Sequence, residues 1–150
     1  MSPTIQRVTD SQIEGAKEVI ARGCLEFFGQ PPAEFEDMDN ISSIYREPTG
    51  TFLVLLDGER VVGTGAIRRI DEETCELKRM WLLPAWRGKG YGARMSEALL
   101  QFARSAGYKR VRLDTTPVLA AANRLYQRLG FYPIERYNDG PCTIFMEKCL

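Results

Sequence analysis

The stretch Glu76-Leu77-Lys78-Arg79-Met80-Trp81-Leu82-Leu83-Pro84, running straight into Ala85-Trp86-Arg87-Gly88-Lys89-Gly90-Tyr91-Gly92, decides the fold of this chain. Its first part reads as a strand stopped by proline, and its second as a glycine-rich loop that opens a helix. Glycines at alternate positions let backbone amides approach an anion without obstruction by Cβ. The helix N-terminus adds its unpaired N–H groups and partial positive charge. From Lys78 to Arg94 the charged residues are Lys78, Arg79, Arg87, Lys89 and Arg94, with no acid among them. Such a loop suits a phosphorylated ligand. It is not a Walker loop, because Lys89 is followed by Gly90 rather than Ser or Thr, and its G-x-G-x-G spacing is not the dinucleotide fingerprint. It fits R-x-x-G-x-G.

Working outward, a helix is expected from Tyr91 to Ala106, with Met95, Ala98, Leu99, Phe102, Ala103 and Ala106 at helical spacing and Gly107 as its stop. Arg110 to Asp114 reads as a strand. Strand 74–83, helix and strand 110–114 then form a right-handed crossover between parallel strands. Thr116-Pro117 suits the start of a helix that runs to Leu129, with Gly130 ending it. Two strands near 133–137 and 142–148 flank the turn Asn138-Asp139-Gly140-Pro141. Upstream lies a meander: Thr51 to Leu56, Arg60 to Ile70, with a bulge or close approach at Gly63 and Gly65, and Thr74 to Leu83. At the N-terminus a strand over Thr4 to Val8 precedes a helix with a Ser11/Glu14 capping box, ended by Gly29. Residues 30–50 are irregular and acidic (Glu34, Glu36, Asp37, Asp39), with a short helix over Asn40 to Arg46. The alternation of periods 2 and 3.6 predicts one α/β domain over residues 1–150.

Composition narrows the chemistry. Of 150 residues, 44% are hydrophobic and 27% charged, with 20 basic and 20 acidic side chains. That balance speaks against a general nucleic-acid binder, which needs a cationic surplus. Without histidine, imidazole bases, His metal ligands and Ser-His-Asp triads are excluded. Cys24, Cys75, Cys142 and Cys149 are scattered, with no C-x-x-C pair, so neither a zinc site nor a disulfide framework is expected; Cys149 is the one expected to be exposed. No apolar run reaches the ~20 residues of a membrane span, and no secretory leader is read at the N-terminus. The expectation is a cytoplasmic protein with no metal, membrane or nucleic-acid partner.

Downstream, Ala122-Asn123-Arg124-Leu125-Tyr126 precedes Leu129-Gly130-Phe131. Together with the strand and loop quoted above, this resembles the GNAT superfamily of acyl-CoA-dependent N-acetyltransferases. The resemblance follows the element order of nearly the whole chain and is most specific from Glu76 to Phe131. It implies a mixed, mostly antiparallel central sheet with a splayed parallel pair and helices on both faces. It implies acetyl-CoA as acyl donor, with the amides of Arg87, Gly88, Lys89, Gly90, Tyr91 and Gly92 on the pyrophosphate, the backbone of Leu82 and Leu83 on the pantetheine, and Asn123 hydrogen-bonding the same arm. Tyr126 is the expected proton donor to the departing thiolate and Glu76 the expected base, directly or through water.

By strict alternation Glu76, Lys78 and Met80 share a face, unless the bulge usual in this family's strand changes the parity. Phe27, Phe28, Tyr45 and Tyr137 are candidate walls of an acceptor pocket, and Arg68, Arg69 or Arg79 candidate holders of an acceptor carboxylate. The acidic segment 34–39 is a further candidate to attract a cationic amine. The acceptor is expected to be a primary amine of a small molecule or amino acid. A protein lysine or N-terminal amine, and a non-catalytic acyl-CoA sensor, are the alternatives. The resemblance also implies a homodimer.

Overall fold

The computed structural model describes residues 2–32 and 36–150. Its strands are β1 (Thr4–Arg7), β2 (Thr51–Asp57), β3 (Arg60–Arg69), β4 (Thr74–Leu82), β5 (Arg110–Thr115), β6 (Tyr132–Pro133) and β7 (Ile144–Cys149). They form one sheet in the order β1-β2-β3-β4-β5-β7-β6. Every pairing is antiparallel except β4 with β5. The helices are α1 (Ile13–Phe28), α2 (Glu36–Asp39), α3 (Ile41–Ile44), α4 (Tyr91–Ser105) and α5 (Ala120–Arg128). This is the mixed sheet with one parallel pair that the family resemblance implied.

Two features of β4 create the working part of the molecule. The parallel ladder to β5 runs over Thr74↔Arg110, Cys75↔Val111 and Glu76↔Arg112 and goes no further. From Leu77 onward the β5-facing edge of β4 carries no strand, so the two strands part and a cleft opens between them. The second feature is a bulge: Thr64 pairs with Trp81 but Ala66 with Lys78, so Arg79 and Met80 together face Gly65. Arg79 takes a left-handed backbone, φ 59°, which is unfavourable for a residue with a long side chain. Two contacts hold it. The buried Thr64 hydroxyl donates to the Arg79 carbonyl at 2.6 Å, and the Arg79 guanidinium forks onto Asp37 at 2.8 and 2.6 Å.

The bulge decides which way side chains point. A methyl placed at Gly65 would fall within 3 Å of Met80, Met95 and Leu99, so Met80 points to the α4 face. Trp81, its successor, lies on the α1 face: a methyl at Gly23 of α1 would sit inside the indole ring, and Phe27 and Phe28 pack around it with ring centroids at 6.2 and 6.1 Å. Lys78 stays beside Glu76, with Nζ to Oε1 at 3.5 Å. Met80 therefore leaves the face that strict alternation gave it with Glu76 and Lys78.

Three boundaries differ from the sequence reading, each for a local reason. The first helix is capped by Thr9 and Gln12 rather than Ser11 and Glu14: a 3-10 turn over Asp10–Gln12 precedes α1, and Gln12 reaches back to the Thr9 N–H at 2.9 Å. Helix α5 begins at Ala120, not Thr116. Asn123 donates to the Thr116 carbonyl and accepts from the Thr115 hydroxyl, both at 2.9 Å. That arrangement fixes 116–119 as a turn and leaves the Thr116 hydroxyl capping nothing and without a partner among the described residues. The penultimate strand shrinks to Tyr132–Pro133 because Arg136 donates to the carbonyls of Asn138, Gly140 and Cys142 and organises the following residues as a loop.

Candidate active site

At the carboxyl end of β4, Pro84–Trp86 form a single 3-10 turn and the chain enters the glycine loop. Gly88 and Gly90 have φ of 72° and 88°, where any side chain is strained, and a Cβ at either would meet nothing within 4 Å. Backbone conformation and open space coincide there. The first backbone bond of α4 is Arg94 N–H to Gly90 C=O at 3.1 Å, so the N–H groups of Tyr91, Gly92 and Ala93 have no partner within the helix. Trp86 and Tyr91 pack on each other across the loop at 5.7 Å. Lys89 lies over Trp86, and Arg94 over Tyr91. The result is an anion cradle at a helix N-terminus.

Arg87, expected to hold the pyrophosphate, gives that cradle neither its charge nor its amide. Its guanidinium pairs with Glu26 of α1 at 2.6 and 3.0 Å, its Nε donates to the Leu82 carbonyl, and its own N–H donates to Pro84. It bolts the loop to α1. Leu82 and Leu83 divide by parity: the Leu83 N–H donates to Val62 on β3 at 3.0 Å, while Leu82 belongs to the edge that β5 has left.

The cleft between the parted strands has a volume of about 640 Å³, within the usual range for a small-molecule site. It passes through the sheet. On the α4 and α5 side its walls are Leu77, Met80, Leu113, Leu119 and Tyr126; on the α1 side they include Phe28, Arg68, Lys78, Trp81, Asp114 and Cys142. Tyr126, 7% exposed, packs its ring edge-on against Phe131 at 5.8 Å, and no hydrogen bond to its hydroxyl occurs among the described residues. Burial pushes its phenol well above the ordinary value, so it stays protonated at neutral pH. Burial also raises Cys24, a thiol lining the same cleft.

Glu76 lies beside the cleft rather than on its lining. It is 6% exposed, accepts a 2.5 Å hydrogen bond from the Tyr137 hydroxyl and has Lys78 on its other oxygen. Asn123 ties α5 to the end of β5 through Thr115 and Thr116. Of the proposed pocket walls, Phe28 lines the cleft and Tyr45 is fully buried, its hydroxyl on Asp37 at 2.6 Å. Tyr137 covers Glu76, and Phe27 stacks under Arg87 at 5.0 Å. In the acidic segment, Glu34 lies outside the described residues. Asp37 holds Arg79, and Asp39 holds Lys17 at 2.6 Å; both are matched by this chain's own cations. Burial opposes ionisation of Asp37, but its hydrogen bonds from Arg79 and Tyr45 prevail and hold it below the usual carboxylate range. Sequence reasoning missed Asp114, which enters the cleft from the parted end of β5 and accepts from Asn138 at 2.9 Å. A lone Asp at a strand end carries no signal until the strands are seen to part.

A sheet that splits beside a glycine cradle is the architecture that the resemblance to the GNAT superfamily implied, and the comparisons show that family. The description "Acetyltransferase (GNAT) family" matches residues 19–131. An uncharacterised N-acetyltransferase of Escherichia coli (strain K12) is 32% identical over 142 residues, 89% of this chain and 84% of that protein. An IAA acetyltransferase of Azospirillum brasilense is 36% identical, covering 79% of this chain and 80% of that one. N-acetylaspartate synthetase of Rattus norvegicus is 41% identical over 98 residues, but the chain spans only 32% of its length. Among solved structures, a GNAT-family acetyltransferase of Staphylococcus aureus Mu50 superposes with a TM-score of 0.89 at 20% identity, covering 99% of both chains. The PaiA N-acetyltransferase of Thermoplasma acidophilum, solved with coenzyme A, superposes at 0.77 and 18% identity over the full length of both.

The chain belongs to the GNAT acetyltransferase family and is an acetyl-CoA-dependent acyltransferase. Among the described residues no helix is long and apolar enough to cross a membrane, and no group of three metal-ligating side chains occurs.

Proposed function

We propose that the chain transfers acetyl from acetyl-CoA to the primary amine of a small molecule by direct attack, with Tyr126 as the acid. The observation that carries this reading is the buried Tyr126 side chain lining the cleft, its hydroxyl without a hydrogen bond among the described residues. The amides of residues 88–92 hold the pyrophosphate, and the free edge of β4 around Leu82 lies along the pantetheine arm. Leu83 takes part by fixing that edge to β3. Asn123 retains one N–H for the arm beyond its two bonds within the chain. The amine attacks the thioester carbonyl, the C–S bond breaks, and the thiolate takes the Tyr126 proton. The proton lost by the amine goes to Glu76, reached through water, with Tyr137 and Lys78 fixing the carboxylate.

A second reading of the base is favoured by one observation: Asp114 lines the cleft itself, and Glu76 does not. Small acceptors are preferred over protein ones because relatives are named for small molecules, N-acetylaspartate and IAA. The four unpaired thiols fit a reducing cytoplasm, and a homodimer is the assembly carried over from the family. The test is Tyr126→Phe, with thiol release and acetyl-CoA affinity measured side by side. Turnover falls by ~10²-fold or more while affinity holds within about 3-fold; undiminished turnover removes Tyr126 from the chemistry.

A further inference from the structure

We propose that the acceptor carries a carboxylate beside its amine, and that Arg68 is the residue that binds it. The inference deepens the acetyl-transfer reading above and rests on it. Three arginines lie near the right end of β3 and β4, and the geometry separates them. Both donor edges of Arg79 used in its fork face Asp37, which leaves that pair neutral as a unit. Arg69 sits opposite Cys75, one residue out of phase, so it points to the α4 face, where its charge acts on Tyr108. Arg68 sits opposite Glu76, on the face that also carries Lys78, and it lines the cleft. It is exposed, and no ion pair to it occurs among the described residues.

The carboxylates near Arg68, its cross-strand neighbour Glu76 included, have other partners. Asp37 is matched by Arg79, Glu76 has Lys78 at 3.5 Å and Tyr137 at 2.5 Å, and Asp114 stands on the other strand, by Asn138. The lining that Arg68 and Asp114 share includes the apolar Phe28, Trp81 and Pro141, and Lys78 stands on the strand between them. The acceptor side therefore offers a guanidinium on β3, a carboxylate on β5 and apolar surface in the same lining, with Lys78, already beside Glu76, on the strand between. A zwitterion complements that pattern: its ammonium lies toward Asp114, where the strands part, and its carboxylate lies on the planar fork of Arg68. A simple cationic amine meets an unopposed like charge instead, which costs affinity.

The experiment follows thiol release from acetyl-CoA with matched acceptors: an amino acid, its carboxamide and its decarboxylated amine, and a dicarboxylic amino acid beside its side-chain amide. The last pair distinguishes a main-chain from a side-chain carboxylate. The wild-type protein favours the acid over its uncharged partner by about 10- to 100-fold in kcat/KM, the usual worth of a hydrogen bond to a charged group. Arg68→Gln lowers kcat/KM for the acid through KM and brings the acid-to-amide ratio toward one; Arg68→Lys restores part of it. Equal wild-type use of acid and amide overturns the proposal, as does a ratio unchanged by Arg68→Gln at an unchanged melting temperature. Transfer to no amine at all strikes the acetyl-transfer reading itself, and the assignment of Arg68 with it.

Discussion

The anion cradle and the acceptor side of the cleft are built by opposite means. The cradle is five consecutive residues, 88–92, set by backbone conformation: Gly88 and Gly90 at positive φ and a helix start at Tyr91. The acceptor side draws Phe28 from α1, Arg68 from β3, Lys78 from β4, Asp114 from β5 and Cys142 from the loop before β7. Distant segments meet there only because β4 and β5 part after Glu76. A local site keeps one geometry across substitutions elsewhere, which suits a fixed phosphate group. A site assembled across the sheet changes whenever any contributor changes, which suits acceptor choice.

The largest effect that sharpens this contrast is on the base. Glu76→Gln and Asp114→Asn are compared in kcat/KM against pH. The one that is the base loses ~10²-fold and the ascending acid limb of the profile, while the other keeps its limb. Both keep acetyl-CoA affinity, because neither belongs to the cradle. In the same profiles Tyr126 imposes no alkaline fall through pH 10: burial raises its phenol above that ordinary value, so the acid remains protonated as pH rises.

The cradle is broken in two distinguishable ways. Gly90→Ala places a side chain at φ 88° and costs about 1–2 kcal/mol of backbone strain, read as a roughly tenfold loss of acetyl-CoA affinity by calorimetry. Gly92→Ala is the finer probe. Its Cβ would lie 3.4 Å from Leu125, an ordinary contact, and its φ is not positive. Stability therefore stays within about 0.5 kcal/mol, while affinity for acetyl-CoA falls if the pyrophosphate approaches that amide. Unchanged affinity in Gly92→Ala restricts the cradle to Gly88–Tyr91.

The smallest effects belong to the bulge that joins the two regions. Thr64→Val removes the hydroxyl that holds the Arg79 carbonyl and lowers stability by about 1–2 kcal/mol, measured by denaturant unfolding. Asp37→Asn acts on the other support, and its effect depends on pH. The Asp37 carboxyl is depressed in the folded chain, so its contribution is present above the ordinary carboxylate pKa of 3.8 and is lost as pH falls below it. The difference in stability between wild type and Asp37→Asn narrows on that acid side; a constant difference shows that the ion pair contributes nothing.

The same contrast governs what the sequence disclosed. The R-x-x-G-x-G loop and the helix it opens were legible because each rests on short-range rules, glycine at positive φ and apolar spacing; Tyr126 was singled out through the family resemblance. The parallel pair followed from the strand–helix–strand order. The bulge was foreseen from Gly63 and Gly65 within a strand and, for the parity of β4, through the family resemblance; nothing in Arg79-Met80 announces a left-handed backbone, whose supports lie far off in the chain, in the Thr64 hydroxyl and Asp37. The selection of Arg68 over Arg69 and Arg79 was equally hidden. It depends on which arginine shares a face with the open edge and which is already held by Asp37. Local competition explains the remaining misses: Asn123 set the start of α5 against Thr116, and Arg136 turned an expected strand into a loop.

The central claim is that the parted strands and the cradle together bind acetyl-CoA and pass its acetyl group to an amine. Calorimetric titration of acetyl-CoA into the purified chain, beside thiol release over a panel of amines, amino acids and lysine peptides, tests it most directly. The expected result is micromolar binding with thiol release on a small amine acceptor. Absence of acetyl-CoA binding contradicts the claim and strips residues 88–92 of their part in holding the pyrophosphate.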